Sequence, residues 1–215
     1  MGHLLPIELV GYFALFEHHF SKPNFVYFQA YLWGLLIARG RKTMSNIAHC
    51  CFFVERSLSS WERFLSKHLW DLNAVCATLV KMLVTELGEV LKVHGAFLVG
   101  VDTILIAKNG NKMLGVQKWA DHSGNADRGD RIRGHHWAIL GLISFHPSWR
   151  RHLCWPIAMR LISGQLNPSQ IIVEPNGKAR LASIWDSILP LLITLQSQLH
   201  PGHLRVVADA YFSKV

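Results

Sequence analysis

The sequence lacks the features that would assign it to a membrane or secreted class. Its longest largely apolar runs, such as Ile188–Leu195 and Ala30–Ala38, are far shorter than the roughly 20 residues of a membrane-spanning helix. The N-terminus has no basic segment before its apolar residues and carries Glu8, which argues against a secretory signal. We therefore expect a cytoplasmic protein with no membrane partner.

Cysteine is present only four times, and the spacing forms no disulfide or zinc framework. Cys50 and Cys51 are adjacent, Cys76 and Cys154 stand alone, and no CxxC pair occurs. His49 precedes the adjacent pair, but neighbouring residues on a helix point in different directions and do not converge on one metal. We expect reduced thiols. The GxGxxG, Walker A, HExxH and GxSxG patterns are also missing from the sequence.

Acidic residues are scarce relative to basic ones. The chain has 14 Asp and Glu against 22 Lys and Arg, which gives a formal net charge of +8. The positive charge is clustered at Arg39–Lys42, Arg128–Arg133 and Arg150–Arg151. Such a balance favours a polyanionic partner, of which nucleic acid is the commonest. A basic but otherwise ordinary protein surface is the alternative.

The spacing of apolar residues along the sequence changes near residue 93. Before it, apolar residues recur at helical spacing. The segments predicted as helices are Ile7–His19, Asn24–Ala38, Thr43–Phe53, Ser59–His68 and Asp71–Val93. Ser59 and Glu62 form a capping-box pattern, and Asp71 is available as an N-cap. We therefore divide the chain into a helical region, residues 1–92, and a second region, residues 93–215.

Beyond residue 93 the pattern changes to strands. The predicted strands are Val93–Ile106, Met113–Lys118, His135–His146, His152–Ser163 and His203–Asp209. Asn109-Gly110 predicts a hairpin turn between the first two. Lys178–Leu199 has a helical pattern that Pro190 should kink. This order of antiparallel strands, a crossover helix and one more strand indicates an α+β protein.

Two aspartates stand out because each lies in an apolar run that predicts a buried strand. Asp102 lies within Ala96–Ala107, and Asp209 ends the last strand. An ionised carboxylate is costly to bury without a partner. If Leu204–Asp209 returns beside Phe97–Ile104 and parallel to it, the two carboxylates come close enough to bind one divalent cation. A satisfied structural aspartate at a strand end is the alternative for each.

Several segments resemble a known family. LVGVDTILIAKNGNKMLGVQKWADHS resembles the first catalytic-aspartate segment of bacterial insertion-sequence transposases of the DDE superfamily, which have a ribonuclease H-like core. RGHHWAILGL resembles the strand that follows, and LRVVADAYFSK resembles the second-aspartate segment. FVYFQAYLWGLL, RKTMSNIAHC and LSSWERFLSKHLWD resemble the helical region before the core. The resemblance implies an all-helical N-terminal region followed by an incomplete ribonuclease H-like α/β core.

The resemblance also implies a site and a reaction. Asp102 and Asp209 would be the first two members of a triad that holds Mg²⁺ or Mn²⁺ for cleavage and joining of DNA. The third member, a glutamate on a helix beyond the second aspartate, has no match. Glu174 precedes Asp209, and only six residues follow that aspartate. We therefore expect a bacterial, nucleoid-associated transposase fragment that is truncated at its C-terminus and inactive alone.

DNA, both element ends and target, is the partner that the resemblance and the charge imply. The predicted DNA-binding residues are Arg41, Lys42, Arg56, Arg63, Lys67, Arg131 and Arg133. Thr43–Phe53 and Ser59–His68 are joined by a short connection, as in a helix-turn-helix unit. A plain helical bundle with a solvated face is the alternative. A second copy of the chain or the full-length transposase is a further expected partner.

Two other functions are compatible with the sequence. A non-catalytic DNA-binding remnant would occupy element ends, or pair with the full-length transposase, and restrain transposition. The missing glutamate favours this remnant for the polypeptide as it stands. The other is an unrelated α+β binding protein whose strand aspartates are fortuitous. Asp121 and His122 lie in a basic loop, where a solvated pair is the simpler interpretation.

Overall fold

A computed structural model describes residues 7–67, 69–110, 113, 115–120, 131–162, 171–173, 179–181, 184–199 and 201–208. The chain forms two compact units, residues 1–79 and residues 80–215. Helices precede strands as predicted, and the first strand begins at Lys92. Within these described ranges, no helix has both the length and the apolar character needed to cross a membrane.

Among the described residues, five α-helices come before the strands. They are α1 (Ile7–Ala14), α2 (Lys22–Ile37), α3 (Met44–Cys50), α4 (Leu58–Lys67) and α5 (Leu72–Leu87), with 3-10 turns at Glu17–His19 and Gly88–Leu91. Thr43 caps α3, because its hydroxyl accepts a hydrogen bond from the N–H of Asn46. Asp71 caps α5, because its carboxylate accepts from the N–H of Asn73 at 2.8 Å. The predicted N-cap at Asp71 is therefore confirmed.

Helix α4 begins at Leu58, so the predicted capping box of Ser59 and Glu62 is wrong. The carbonyl of Ser57 accepts the N–H groups of Ser60 and Trp61. The Ser57 hydroxyl lies 2.9 Å from that of Ser59 and 3.0 Å from that of Ser60. Serine is a favourable residue at a helix start, and three serines lie close together here. The capping-box pattern selected Ser59, whereas the residue that precedes the helix is Ser57.

Helix α5 ends at Leu87, six residues before the predicted end at Val93. Gly88 adopts a φ of 48°, and a left-handed glycine is a common way for an α-helix to end. The 3-10 turn that follows places Leu91 in a fully buried position. The apolar periodicity of the sequence continues past the end of the helix, because the 3-10 turn also contributes a side chain to the core. This continuation explains why the predicted helix was too long.

Aromatic side chains form the core of the helical unit. Trp61 and Phe64 from α4 are buried beside Tyr27 from α2, and the Tyr27 and Phe64 ring centroids are 5.8 Å apart. Helix α3 packs closely on α2 at Gly34, where a Cβ atom would lie 2.6 Å from Cγ2 of Ile47. A larger residue at Gly34 would separate the two helices.

The described part of the second unit contains a six-stranded sheet and a two-stranded sheet. The strands are β1 (Lys92–Val93), β2 (Ala96–Ala107), β3 (Gln117–Ala120), β4 (Arg131–His146), β5 (Arg151–Ile162), β6 (Ile171–Val173), β7 (Ala179–Leu181) and β8 (His203–Ala208). Strands β6 and β7 pair only with each other among the described strands. Helix α6 (Ile184–Leu199) leads into β8.

The large sheet combines antiparallel strands with a parallel last strand, as predicted. Strand β2 pairs antiparallel with β4, and β4 pairs antiparallel with β5. After α6, strand β8 returns beside β2 and runs parallel to it, with Ala96 opposite His203 and Val101 opposite Ala208. The α+β class and the parallel return of the last strand are confirmed.

The predicted hairpin from β2 to β3 is wrong. Strand β3 pairs with β4, with Gln117 opposite Gly134 and Ala120 opposite Arg131. The described partners of β2 are β1, β4 and β8. After β2 ends, the N–H of Lys108 still donates to the carbonyl of Arg133. The Asn109-Gly110 signal identified a turn but not the strands that it joins.

The two faces of the large sheet differ in exposure. The covered face carries side chains that are buried, among them Phe97, Val99, Val101, Ala138, Leu140 and Leu142. Helix α6 packs against β4, β5 and β8, and its own Ile188, Leu195 and Leu199 are buried. The alternate positions form the open face, where Ile104 is 44% exposed and Met159 is 51% exposed.

Helix α6 begins at Ile184, so the helix predicted from Lys178 is too long. Residues Ala179–Leu181 form β7 instead. The helix continues through Pro190, which is exposed. The hydroxyl of Thr194 donates to the carbonyl of Pro190 at 2.9 Å.

Candidate active site

Asp102 lies on the open face, where β2 leaves the core. Burial alternates along β2, with Val99 and Val101 buried on the covered face, and Asp102 is exposed. The prediction that Asp102 is buried is therefore wrong. An apolar run predicts a strand, but side chains alternate between faces, and the residues that the structure describes cover only one face here.

The Asp102 carboxylate borders a cleft of about 410 Å³ on the open face. The cleft is lined by Gly100, Val101, Asp102, Ile139, Gly141, Cys154, Val207 and Ala208. The Asp102 Oδ1 atom accepts a hydrogen bond from the N–H of Thr103 at 2.7 Å. This single bond leaves acceptor capacity on the carboxylate, and exposure makes that capacity available to a ligand.

Two glycines on adjacent strands form part of the cleft wall. Gly100 in β2 lies opposite Gly141 in β4. A Cβ atom at Gly141 would overlap the Sγ atom of Cys154. Only a residue without a side chain therefore lets the Cys154 thiol lie over β4. The β4–β5 register also shifts between Leu140 and Gly141, and such bulges re-aim nearby side chains.

Cys154 adjoins Asp102, a neighbour that the sequence did not suggest. Although the residue as a whole is exposed, desolvation of its thiol raises the pKa of Cys154, and the negative charge of Asp102 raises that pKa further. The thiol is therefore protonated at neutral pH. An isolated cysteine carries no signal for this contact, because the contact depends on Gly141 in another strand.

The second predicted aspartate, Asp209, lies outside the described residues. The described ladder between β2 and β8 ends with Val101 opposite Ala208, and Asp102 and Asp209 are the next residues in sequence. Asp121, His122 and Glu174 also fall outside the described ranges. The part of the chain that the structure describes contains no group of three or more His, Cys, Asp or Glu side chains able to hold a metal.

Arg41 and Lys42 lie in a loop between α2 and α3 whose backbone is fixed. The side-chain amide of Asn46 donates to the carbonyls of Arg39 at 2.8 Å and Arg41 at 2.9 Å. The ammonium of Lys42 donates to the carbonyl of Ala38. The arginine side chains are exposed. The loop can therefore present positive charge to a polyanion without first becoming ordered.

The remaining predicted DNA-binding residues lie in three places. Arg63 and Lys67 lie one turn apart on α4, and both are exposed. Arg56 is exposed in the connection between α3 and α4. That connection covers residues 51–57, which is longer than the about three- to four-residue turn of a helix-turn-helix unit. Arg131 and Arg133 are exposed at the start of β4.

Comparison with known proteins identifies one family. A protein-family model described as DDE superfamily endonuclease matches residues 15–215. The match includes the helices from the 3-10 turn onward, the whole large sheet and Asp102. Searches of curated proteins and of solved structures gave no match.

Proposed function

The chain belongs to the DDE superfamily of endonucleases, and we propose that it acts as an insertion-sequence transposase. In this proposal a phosphodiester bond at an element end is cleaved, and the released 3′-hydroxyl is joined to target DNA. Asp102 and Asp209 would hold a divalent metal, which would supply Lewis-acid stabilisation to the phosphate. The observation that carries the proposal is the parallel pairing of β8 with β2.

The register supports the pairing of the two aspartates. The ladder reaches Val101 opposite Ala208, and if the same register continued by one residue on each strand, Asp209 would lie opposite Asp102. In a parallel pair, residues that lie opposite each other share a face. Both carboxylates would then face the cleft, where a cation offsets the repulsion between two like charges.

The cleft suits a hard divalent cation such as Mg²⁺ or Mn²⁺. Carboxylate oxygens are the ligands that these ions prefer, and Asp102 borders a cleft of about 410 Å³. When bound, the metal would stabilise charge on the attacking and leaving oxygens of the phosphate. The Asp102 carboxylate would position the metal, and its hydrogen bond from Thr103 would orient that carboxylate.

The strand order supports a ribonuclease H-like core. Three antiparallel strands (β2, β4 and β5) are followed by α6 and by a strand parallel to β2. We propose that this is the catalytic domain. The net charge of +8 and the exposed basic residues support DNA as the substrate, with Arg41, Lys42, Arg56, Arg63, Lys67, Arg131 and Arg133 contacting phosphates.

The test is Mn²⁺ binding by the full chain, followed by the electron paramagnetic resonance signal of the free ion. We expect Asp102→Asn and Asp209→Asn each to weaken binding at least about tenfold, since loss of one charged ligand removes a primary contact. Glu62→Gln, which removes an exposed carboxylate from α4, is the matched control. Equal binding by Asp102→Asn and Glu62→Gln would overturn the proposed site.

A further inference from the structure

An exposed tryptophan lies at the turn that joins β4 to β5. This β4–β5 tip comprises residues 145–152, with the sequence FHPSWRRH. Trp149 in the tip is 62% exposed, whereas the other tryptophans of the chain are buried or partly buried. Tryptophan is highly buried on average in folded proteins. An indole that is exposed to this extent is available to a ligand.

The tip holds Trp149 in place before any ligand binds. The indole stacks on the imidazole of His146, with ring centroids 4.3 Å apart and an interplanar angle of 18°. The N–H of Trp149 donates to Nδ1 of His146 at 3.3 Å, and the N–H of Arg150 donates to the carbonyl of Pro147 at 3.2 Å. Because His146 covers one face of the indole, the exposed surface of Trp149 includes the opposite face. A flat ligand can stack on that face at a low ordering cost.

Two cations lie beside the indole. Arg150 and Arg151 follow Trp149 directly, and both are exposed. Residues 131–162, which include both strands and the tip, contain no Asp or Glu. Arg150 adopts a φ of 49°, a left-handed conformation that glycine adopts with less strain. The backbone of the turn therefore favours glycine, and the arginine adds positive charge at a conformational cost.

The tip suits a nucleic-acid strand. Aromatic side chains that stack on bases, together with positive charge that contacts the backbone, are the combination that binds unpaired strands. Strand β4 also connects the tip to the cleft. Gly141 lines the Asp102 cleft and lies five residues before His146, which is about 17 Å along a strand. About five nucleotides span that length, so one DNA segment can contact both places.

We propose that the exposed face of Trp149 stacks on an unpaired base of DNA, so that the chain prefers distorted DNA to a regular duplex. Arg150 and Arg151 contact the phosphates beside that base. Taking a base out of the stack costs least where the base is mismatched or already unpaired. The inference rests on the proposed function for the choice of DNA. It adds a preference for distorted DNA, which phosphate contacts alone do not provide.

The test uses the full chain and two fluorescein-labelled duplexes of the same sequence, one fully paired and one with a single unpaired thymidine at its centre. Fluorescence anisotropy in the presence of EDTA gives both affinities. We expect the wild type to bind the second duplex at least about fivefold more tightly, which is toward the lower end of the contribution of base–aromatic stacking. Trp149→Ala should bind both duplexes equally, and Trp149→Phe should keep part of the preference.

The matched control is Phe52→Ala. It removes an aromatic side chain that is 77% exposed in the helical unit, and it should keep the whole preference. A wild type that binds both duplexes equally would overturn the inference. A Trp149→Ala variant that keeps the preference, or a Phe52→Ala variant that loses it to the same extent as Trp149→Ala, would also overturn it.

A second variant separates binding from folding. Arg150→Gly removes a cation at a position where glycine adopts the observed φ without strain, so it should not lower the melting temperature. We expect the slope of log K against log salt to fall by about 0.9, the contribution of one duplex phosphate contact. Lys81→Gln removes an exposed lysine of α5 and should leave the slope unchanged. Equal slopes for the two variants would contradict the phosphate contact.

A membrane surface is the other partner that an exposed tryptophan beside arginines could suit. Sedimentation with phosphatidylglycerol vesicles tests it. We expect the wild type and Trp149→Ala to sediment alike. Vesicle binding that depends on Trp149, in a chain that binds both duplexes equally, would overturn the inference and assign the tip to lipid.

The outcomes separate this inference from the proposed function. Loss of Mn²⁺ binding in Asp102→Asn, together with equal binding of the two duplexes by the wild type, would overturn the role of the tip alone. A preference that depends on Trp149, in a chain whose Mn²⁺ binding does not depend on Asp102, would overturn the metal site alone.

Discussion

The two faces of the large sheet are built from the same strands but differ in what they do. On the covered face, Leu140 and Leu142 are fully buried under α6. On the open face, one residue away along each strand, lie Asp102, Gly141 and the cleft. Because side chains alternate between the two faces of a strand, the residues that stabilise the fold and the residues of the cleft lie on opposite faces. A position's face therefore predicts the consequence of a substitution better than its hydrophobicity does.

The largest expected effect is a loss of stability on the covered face. Leu140→Ala should reduce the free energy of unfolding by about 2–5 kcal/mol, because a fully buried leucine leaves a cavity. Ile104→Ala on the open face removes a side chain that is already 44% exposed, and should cost less than about 1 kcal/mol. Urea unfolding of both variants measures the difference. Equal losses would show that both faces are packed in solution.

The second-largest expected effect concerns Gly141, an open-face position that should not tolerate a larger side chain. Gly141→Ala should cost about 1–3 kcal/mol through overpacking, because the added methyl overlaps Cys154. Gly100→Ala should cost less, because the tightest contact of its Cβ would be with the flexible end of Ile143, at 3.1 Å. Urea unfolding of the two variants gives the comparison.

The cause of the Gly141 effect can be tested directly. Cys154→Ala should restore much of the stability lost in Gly141→Ala, which a double-mutant cycle detects as a favourable coupling. Additive losses in the cycle would assign the effect to the backbone of β4 and not to the thiol.

The fold was predictable from the sequence wherever the signal was local. Asp71 as an N-cap depends on its own neighbours, and the switch from helices to strands depends on periodicity. Chain order also predicted the parallel return of β8 beside β2. The pairing of β3 with β4 was missed, because a turn signal such as Asn109-Gly110 does not specify which strands meet.

The candidate site was predictable only in part. Asp102 stood out as a carboxylate in an apolar run, but the run did not reveal which face α6 covers, and Asp102 proved exposed. The approach of Cys154 depends on Gly141 and on a register shift between β4 and β5. The sequence around Cys154 or Gly141 gives no signal for such a long-range contact.

A smaller effect concerns the electrostatics of the open face. Burial raises the pKa of Cys154, and the charge of Asp102 adds to it. Because the thiolate is the reactive form, Asp102→Asn should speed alkylation of Cys154 by iodoacetamide at pH 8. Peptide mapping by mass spectrometry follows Cys154 separately from the other cysteines. Glu62→Gln should leave the rate unchanged, and an equal rate in Asp102→Asn would mean that the two side chains do not interact.

The smallest expected effect compares two adjacent histidines on opposite faces. Burial lowers the pKa of His136 below its usual 6.5, and its Nδ1 atom is buried without a hydrogen-bond partner among the described residues. His136 faces the covered side of β4 and packs edge-on against Trp119, with ring centroids 4.8 Å apart. His135 lies on the open side, near Trp137.

The folded chain therefore binds a proton at His136 more weakly than the unfolded chain does. The contribution of His136 to stability is fully present above pH 6.5 and is lost as the pH falls through its folded-state pKa. The melting temperature of the wild type should fall between pH 7 and pH 5, and His136→Gln should reduce that fall. His135→Gln should retain the wild-type pH dependence. If the two glutamine variants show the same dependence, burial on the covered face does not control this titration.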